Sequence, residues 1–394
     1  MTTVPVSQNA IGWQLHRARA QAAEPYDILK KASWYERPIP QRHRFIFYFG
    51  HLEAFDWNLI CRDHLGLRSL HPSFDRLFAF GIDPPSGSAP GDAASDWPAI
   101  EEVELYRTRV RAAVDANMKA VPEQLMRVAI EHRLMHAETL AYMLHALPYD
   151  SKKPQADPPS PLPEERASPA VKIPAGTAHL GRARGSGFGW DNEFDEHEVR
   201  LPAYEIDRYK VTNGDYLELV EQGVPAPHFW VKGVHGWGLR TMFREISLPL
   251  DWPVWVTHEE ADRYARWRGK RLPTEAEYHR AAYGDRDPDP GRVHADFRSW
   301  NPVSVYADTG RGPFETRQMV GNGWEWTSTI FAPFKGFVPF PFYPGYSADF
   351  FDGQHWVIKG GSPRTAGCLL RRSFRNWFRG EYPYVYAGFR CVAS

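Results

Sequence analysis

Cysteine is scarce: the 394 residues contain only Cys61, Cys368 and Cys391. An odd, sparse set excludes a disulfide scaffold and suits a reducing compartment. Charge of one sign is also missing, with 47 basic against 48 acidic side chains and a formal net charge of −1. That balance removes the electrostatic footprint of a nucleic-acid binder or of a protein held on an anionic membrane. No apolar run reaches the roughly 18 residues that a membrane-spanning helix needs. The opening segment MTTVPVSQNA has neither the basic nor the apolar region of a secretion signal. These absences predict a soluble, cytoplasmic chain that binds neither nucleic acid nor membrane. What the chain has in quantity is rings: 14% of residues are Phe, Trp or Tyr, including 15 tryptophans. Such a chain can line a pocket with aromatic faces or fill a large core with them.

At roughly 150 residues per domain, the length allows two or three domains. Residues 151–170, SKKPQADPPSPLPEERASPA, carry six prolines and almost no large apolar side chain. Proline fixes φ and lacks a donor, so this stretch predicts an extended surface linker. It separates two halves of different texture. Before it, in 1–150, apolar residues recur at three and four. In 121–147 these are Leu125, Val128, Ala129, His132, Met135, His136, Thr139, Leu140 and Met143, one face of a helix. Similar spacing at about 12–30, 41–65 and 101–118 predicts four main helices, enough for a bundle, with a long loop at 81–98. In 171–394 short apolar segments alternate with Gly, Pro, Asn and Asp, and only 213–222, 257–268 and 274–283 look helical. The last two open on Thr257-His-Glu-Glu and Thr274-Glu-Ala-Glu, as helix N-termini prefer. The expected fold class is therefore α+β, helices first and an irregular, strand-containing half second.

The sharpest chemical feature of the first half is His132-Arg-Leu-Met-His136-Ala-Glu138. Histidines at i and i+4 project from one helix face, close enough to share a metal ion. Two ligands leave a site incomplete. His51, in the helical stretch FYFGHLEAFDWNL, is the candidate third, and Glu138 is a candidate outer partner that fixes an imidazole tautomer. Arg133 rules out the HExxH pattern of zinc proteases. Three imidazoles leave three positions open on an octahedral metal, and nitrogen ligands suit Fe, Cu, Ni or Zn alike.

The second half contains Arg271-Leu-Pro-Thr-Glu-Ala-Glu-Tyr278, Gly321-Asn-Gly-Trp-Glu-Trp-Thr327, Lys359-Gly-Gly-Ser362 and Gly388-Phe-Arg-Cys391. Each mixes glycine turns with Trp or Arg and reads first as scaffold. With these phrases, residues from about 171 to 394 resemble the formylglycine-generating-enzyme-like domain, a variant of the C-type lectin fold. The first half, with His51, His132 and His136, resembles the DinB-like four-helix bundle. Together they resemble the ergothioneine and ovothiol sulfoxide synthases and their close relative, selenoneine synthase. The resemblance implies a mononuclear non-haem Fe(II) held by the three histidines, with O2 as co-substrate. It implies a new bond between C2 of an imidazole and sulfur or selenium. Formylglycine generation is a poor fit, because Cys368 stands without the partner cysteine of that copper site.

Ser373-Phe-Arg-Asn-Trp-Phe-Arg379 is similar to the segment that holds hercynine, the trimethylated histidine, in ergothioneine enzymes. The resemblance carries substrate contact onto Asn376 and Trp377. A quaternary ammonium has no N–H, so aromatic faces must recognise it. The enzymes that use γ-glutamylcysteine have arginines in the loop after the second helix and an acidic residue after the Asn-Trp pair. This chain has Phe80-Gly-Ile-Asp-Pro and Phe378 in those places, and Met135 in place of the Gln of the mycobacterial branch. The missing arginines and the missing acidic residue imply an uncharged donor such as a selenosugar, although Arg76, Arg375 and Arg379 offer charge by another route; Met135 is instead nearer to the ovothiol branch. Tyr343 and Tyr346 are the candidate proton or electron donors. Two rival classes stand beside this reading: a DinB-like metal-dependent thiol S-transferase, and a lectin-like binding module with Trp324 and Trp326 as its platform.

Overall fold

The computed structural model describes residues 8–79, 91–155, 170–284 and 292–393. The chain divides into two compact units, Met1–Gln155 and Ala156–Ser394. Most of the linker predicted at 151–170, and the loop Phe80-Gly-Ile-Asp-Pro, lie outside the described residues.

The first unit is helical: α1 (Gln8–Ile28), α2 (Phe45–Asp56), α3 (Pro72–Leu77), α4 (Ile100–Asn117) and α5 (Glu123–Ala146). Helices α1 and α2 both pack on α5, and α2 packs on α4. The run Phe45-Ile-Phe-Tyr-Phe-Gly-His-Leu is apolar on every side, which forces α2 into the interior. All its residues except Phe55 are buried, including His51, Glu53 and Asp56. Three buried polar side chains on one apolar helix are its informative feature, since such groups are buried only with partners or for a purpose. The long helix predicted at 41–65 is thus two pieces. Helix α2 passes directly into a π-helical stretch, Trp57–His64. The short α3 was not expected from spacing.

The second unit holds thirteen short strands among its described residues: β1 (Ala170–Ile173), β2 (Gly176–Leu180), β3 (His197–Leu201), β4 (Tyr204–Asp207), β5 (Trp230–Gly233), β6 (Gly236–Arg240), β7 (Glu245–Ser247), β8 (Lys270–Arg271), β9 (Trp324–Ile330), β10 (His355–Lys359), β11 (Asn376–Arg379), β12 (Ala387–Gly388) and β13 (Val392–Ala393). They form a sheet ordered β1-β4-β13-β8, a second ordered β11-β10-β9-β12, a β2-β3 pair and a β5-β6-β7 sheet. Helices α6 (Asn213–Glu221), α7 (His258–Trp267) and α8 (Glu275–Tyr283) each start at a threonine whose hydroxyl accepts from the third helical residue. An acidic side chain returns the bond in each, so both Thr-led segments noted in the sequence are capping boxes.

The scaffold phrases meet in the core. Glu325 accepts from Arg390 at 2.7 and 2.9 Å and from Lys210 at 2.5 Å, with all three side chains wholly buried. The GNGWEWT and GFRC phrases are thereby tied by one charge cluster. Trp326 donates to Val256 O at 2.8 Å, and Trp324 and Trp326 are both buried. They are core rings, so they provide no binding platform. Gly360, at φ 104°, passes so close to Met319 that a Cβ would stand 2.6 Å from its carbonyl oxygen, which explains the first glycine of KGGS.

Candidate metal centre

A buried cluster of imidazoles in the first unit is made by α2 and α5. His51, His132 and His136 are all buried, and one nitrogen from each lies within 4.8 Å of the other two. The four-residue spacing on α5 does what helical geometry dictates: the Nε2 atoms of His132 and His136 stand 3.1 Å apart. Two nitrogens about 2.1 Å from one cation, at a right angle, would be separated by about 3.0 Å. The pair therefore fits two neighbouring positions on a first-row metal.

His51 is oriented from outside. Its Nδ1 donates to Phe78 O at 2.7 Å, just past the end of α3. That bond puts the proton on Nδ1 and leaves Nε2 bare. Nε2 is buried and has no hydrogen-bond partner among the described residues, an orphaned lone pair. Gly50 makes this possible, because a Cβ there would meet the Phe78 ring at 2.6 Å. Phe78 and Gly50 were not singled out in the sequence, although His71-Pro72 is a legible helix start that leads to Phe78. Glu138 is buried two residues beyond His136, and the outer bond of His51 goes to the Phe78 carbonyl.

Aromatic rings clamp the imidazoles. Phe55 stacks on His132 with centroids 3.6 Å apart and planes at 13°, and Phe47 stacks on His51 at 4.8 Å. Phe47, His51 and Phe55 are spaced by four, one stripe along α2. Tyr48 lies beside His136, with centroids 5.4 Å apart. Burial pushes the His51 imidazole down to about 4, and the neighbouring His43 and Arg133 charges oppose its protonation further. His132 and His136 are pushed well below the usual histidine range, first by burial, then His132 by the neighbouring His136 and His51 and His136 by His51 and Arg42. All three are neutral at pH 7, the form that ligates metals. The residues present fit a nitrogen-ligated ion, and Met135 stands between the two α5 histidines, half-buried.

In the second unit, β11 is Asn376–Arg379, paired antiparallel with β10. Alternation along a strand sends Trp377 and Phe378 to opposite faces. Trp377 stacks on Phe331 at 4.2 Å and 7°, with Tyr346 edge-on at 5.5 Å and Phe350 at 5.4 Å. Phe378 stacks instead on Tyr382 at 5.2 Å. Asn376 Oδ1 accepts from the Trp377 backbone N–H at 2.9 Å. Tyr346 lies flat on Trp190 at 3.9 Å, and Tyr343 sits 5.6 Å from Tyr346. Burial, then the Asp191 and Asp349 carboxylates, push the Tyr343 phenol up to about 12. Two of the arginines considered as donor-binding groups are already engaged. Arg375 is buried on Glu275, at 2.9 and 3.0 Å, while Arg379 donates to Gln354 at 2.6 Å. Arg76 is exposed on α3.

Residues 155–394 match the Sulfatase-modifying factor enzyme 1-like domain. The chain is also 32% identical over 338 residues to the hercynine oxygenase of Mycolicibacterium smegmatis, covering 73% of this chain and 77% of that protein. This chain belongs to the hercynine oxygenase family of ergothioneine biosynthesis. Within that family it is 27% identical over 495 residues to ergothioneine biosynthesis protein 1 of Neurospora crassa, with 93% of this chain aligned. It spans about half the length of that fungal relative, 55%. The formylglycine-generating enzyme of Streptomyces coelicolor shares 30% identity over 220 residues, 41% of this chain. Cys368 is exposed, Cys61 and Cys391 are buried, and none of the three forms a disulfide.

Proposed function

We propose that this protein is a non-haem Fe(II) enzyme that uses O2 to join a chalcogen to C2 of the hercynine imidazole. The observation that carries the proposal is the 3.1 Å separation of two neutral Nε2 atoms, with the bare Nε2 of His51 beside them. Bound to these three nitrogens, iron would supply the one-electron chemistry that lets dioxygen react with closed-shell substrates. The protein's own residues do the rest. Burial keeps the imidazoles neutral, the Phe47 and Phe55 rings hold them in place, and the apolar surroundings exclude water.

Trp377 is the proposed seat of the trimethylammonium group. Phe331, Tyr346 and Phe350 gather around it, an aromatic setting of the kind that attracts a cation with no N–H to donate. Tyr343 keeps its proton at neutral pH and is suited to donate one; Tyr346 is the wall between Trp190 and Trp377. In the overall balance the imidazole C2–H and the donor chalcogen–H bonds break, and a C2–chalcogen and a chalcogen–oxygen bond form. Four electrons pass to one O2, whose second oxygen leaves as water with the two hydrogens.

For the donor, the finer reading is an uncharged selenosugar, which would make the enzyme a selenoneine synthase. It is supported by the engagement of Arg375 with Glu275 and of Arg379 with Gln354, and by the neutral, ring-stacked Phe378. Cations already engaged in this way, Arg379 also by Asp352 at 3.6 Å, are less available to the carboxylates of γ-glutamylcysteine, whose burial without partners is costly. The sulfur reading, with γ-glutamylcysteine as donor, has the family relationship in its favour. Anaerobic, iron-loaded protein mixed with hercynine and both donors, then exposed to O2, separates them. The selenium reading predicts C–Se product in excess. Preferential C–S product overturns it and leaves the family reading standing; no O2 uptake with either donor overturns both.

A further inference from the structure

Arg133 lies next to His132, yet its side chain points away from the three imidazoles' shared nitrogens and into α2. Its guanidinium donates to Leu52 O at 2.9 Å, to Glu53 Oε1 and Oε2 at 3.1 and 2.9 Å, and to Asp56 Oδ2 at 2.6 Å. All four acceptors belong to the helical turn that follows His51, and one is backbone. Glu53 is held from its other side by Arg111 of α4, at 2.6 and 2.9 Å, with Arg107 at 3.5 Å. Arg133, Glu53 and Asp56 are essentially inaccessible to solvent.

Stability alone is a weak reason for this arrangement. A buried ion pair gives back in attraction about what it loses in desolvation, and apolar residues of similar volume often serve as well or better. What a planar guanidinium adds is direction. Its donors are fixed in a fork, so four bonds to one turn define both the distance and the rotation of α2 relative to α5. Those two helices carry the candidate ligands, one on α2 and two on α5.

We infer that Arg133 is a positioning residue for the metal centre: its fork onto Leu52, Glu53 and Asp56 sets where His51 stands relative to His132 and His136. The inference rests on the reading of the three histidines as metal ligands. Lysine cannot reproduce the fork, so Arg133→Lys should loosen the site although charge is kept.

The test uses the full chain and Co(II) as probe, with affinity measured by chelator competition, geometry by the visible absorption of bound Co(II), and stability by thermal melting of the metal-free chain. Arg133→Lys is one variant. The second is Arg133→Met combined with Asp56→Leu, which removes an ion pair whole and leaves Glu53 paired with Arg111 and Arg107. The expected result is a loss of Co(II) affinity of about 10- to 100-fold in both, the range seen when outer partners of metal ligands are removed. The Co(II) absorption should change shape, and the double variant should melt within a few degrees of the parent. A merely structural role would lower the melting temperature and leave affinity and spectrum alone; that result overturns the inference. Parent protein that binds no Co(II), or loses none on His132→Ala, overturns the ligand reading itself and the inference with it.

Discussion

His51 donates its Nδ1 proton to the carbonyl oxygen of Phe78, 2.7 Å away, and that bond turns the bare Nε2 of His51 toward His132 and His136. The two residues are 27 positions apart, and their approach depends on Gly50, the residue before His51, whose missing Cβ makes room for the Phe78 ring.

Gly50→Ala is therefore expected to act twice. A helical alanine gains about 1 kcal/mol in propensity over glycine. The clash with Phe78 costs about 1–3 kcal/mol, as overpacking does. More telling is the site: displacement of Phe78 releases His51, and metal affinity by chelator competition should fall at least tenfold. Phe78→Leu in the same chain should restore most of it, since the clash is with the ring and the carbonyl belongs to the backbone. Unchanged affinity in Gly50→Ala contradicts this account of how His51 is held.

The buried imidazoles set a pH dependence for the metal-free chain. In the unfolded chain His51 takes a proton near pH 6.5, whereas in the folded chain it does so only near 4. Between those values the unfolded state binds more protons, so stability rises with pH there and is lost as pH falls through the window. His51 alone accounts for about 3 kcal/mol of that loss. His258, stacked on Trp356 and pushed down to about 4 by burial, adds in the same direction. Urea unfolding at pH 7, 5.5 and 4.5 should show the decline, and His51→Asn should flatten it. A parent whose stability does not change over that range contradicts the assignment of neutral, buried imidazoles.

Trp377 gives a prediction about substrate. Trp377→Leu should raise KM for hercynine by about 2- to 30-fold, corresponding to a partly desolvated cation–π contact of roughly 0.5–2 kcal/mol. Trp377→Phe should lose less, because a ring face is kept. The check is the KM ratio measured alongside iron content, which should stay at the parent value. Equal KM in all three chains would remove Trp377 from substrate binding.

Much of the fold and part of the site were legible in the sequence, and particular residues show why the rest was not. The texture change near residue 150 separated helical from strand-rich halves, because period and turn residues are local properties. His132 and His136 could be paired from spacing alone, since a helix places i and i+4 on one face. His51 needed an apolar helix that carried a lone imidazole. Phe78 was invisible as a partner because what it offers is a backbone carbonyl, which every residue has. Arg133 was noticed only as the residue that spoils a protease pattern; its fork onto α2 is a tertiary fact. Similarly, Arg375 and Arg379 read as available charge until Glu275 and Gln354, distant in sequence, were seen to engage them. Asn376-Trp377-Phe378 looked like one recognition segment, but strand alternation divides it between two faces.

The central claim is that O2 is consumed to replace the C2–H of a hercynine imidazole at the three-histidine centre. The direct measurement is hercynine carrying deuterium at C2, turned over by iron-loaded protein with its donor, while O2 uptake and deuterium release are counted together. The account predicts one O2 consumed for each deuterium released, and neither in His132→Ala. Turnover without O2, or O2 uptake with the deuterium retained in the product, would contradict it.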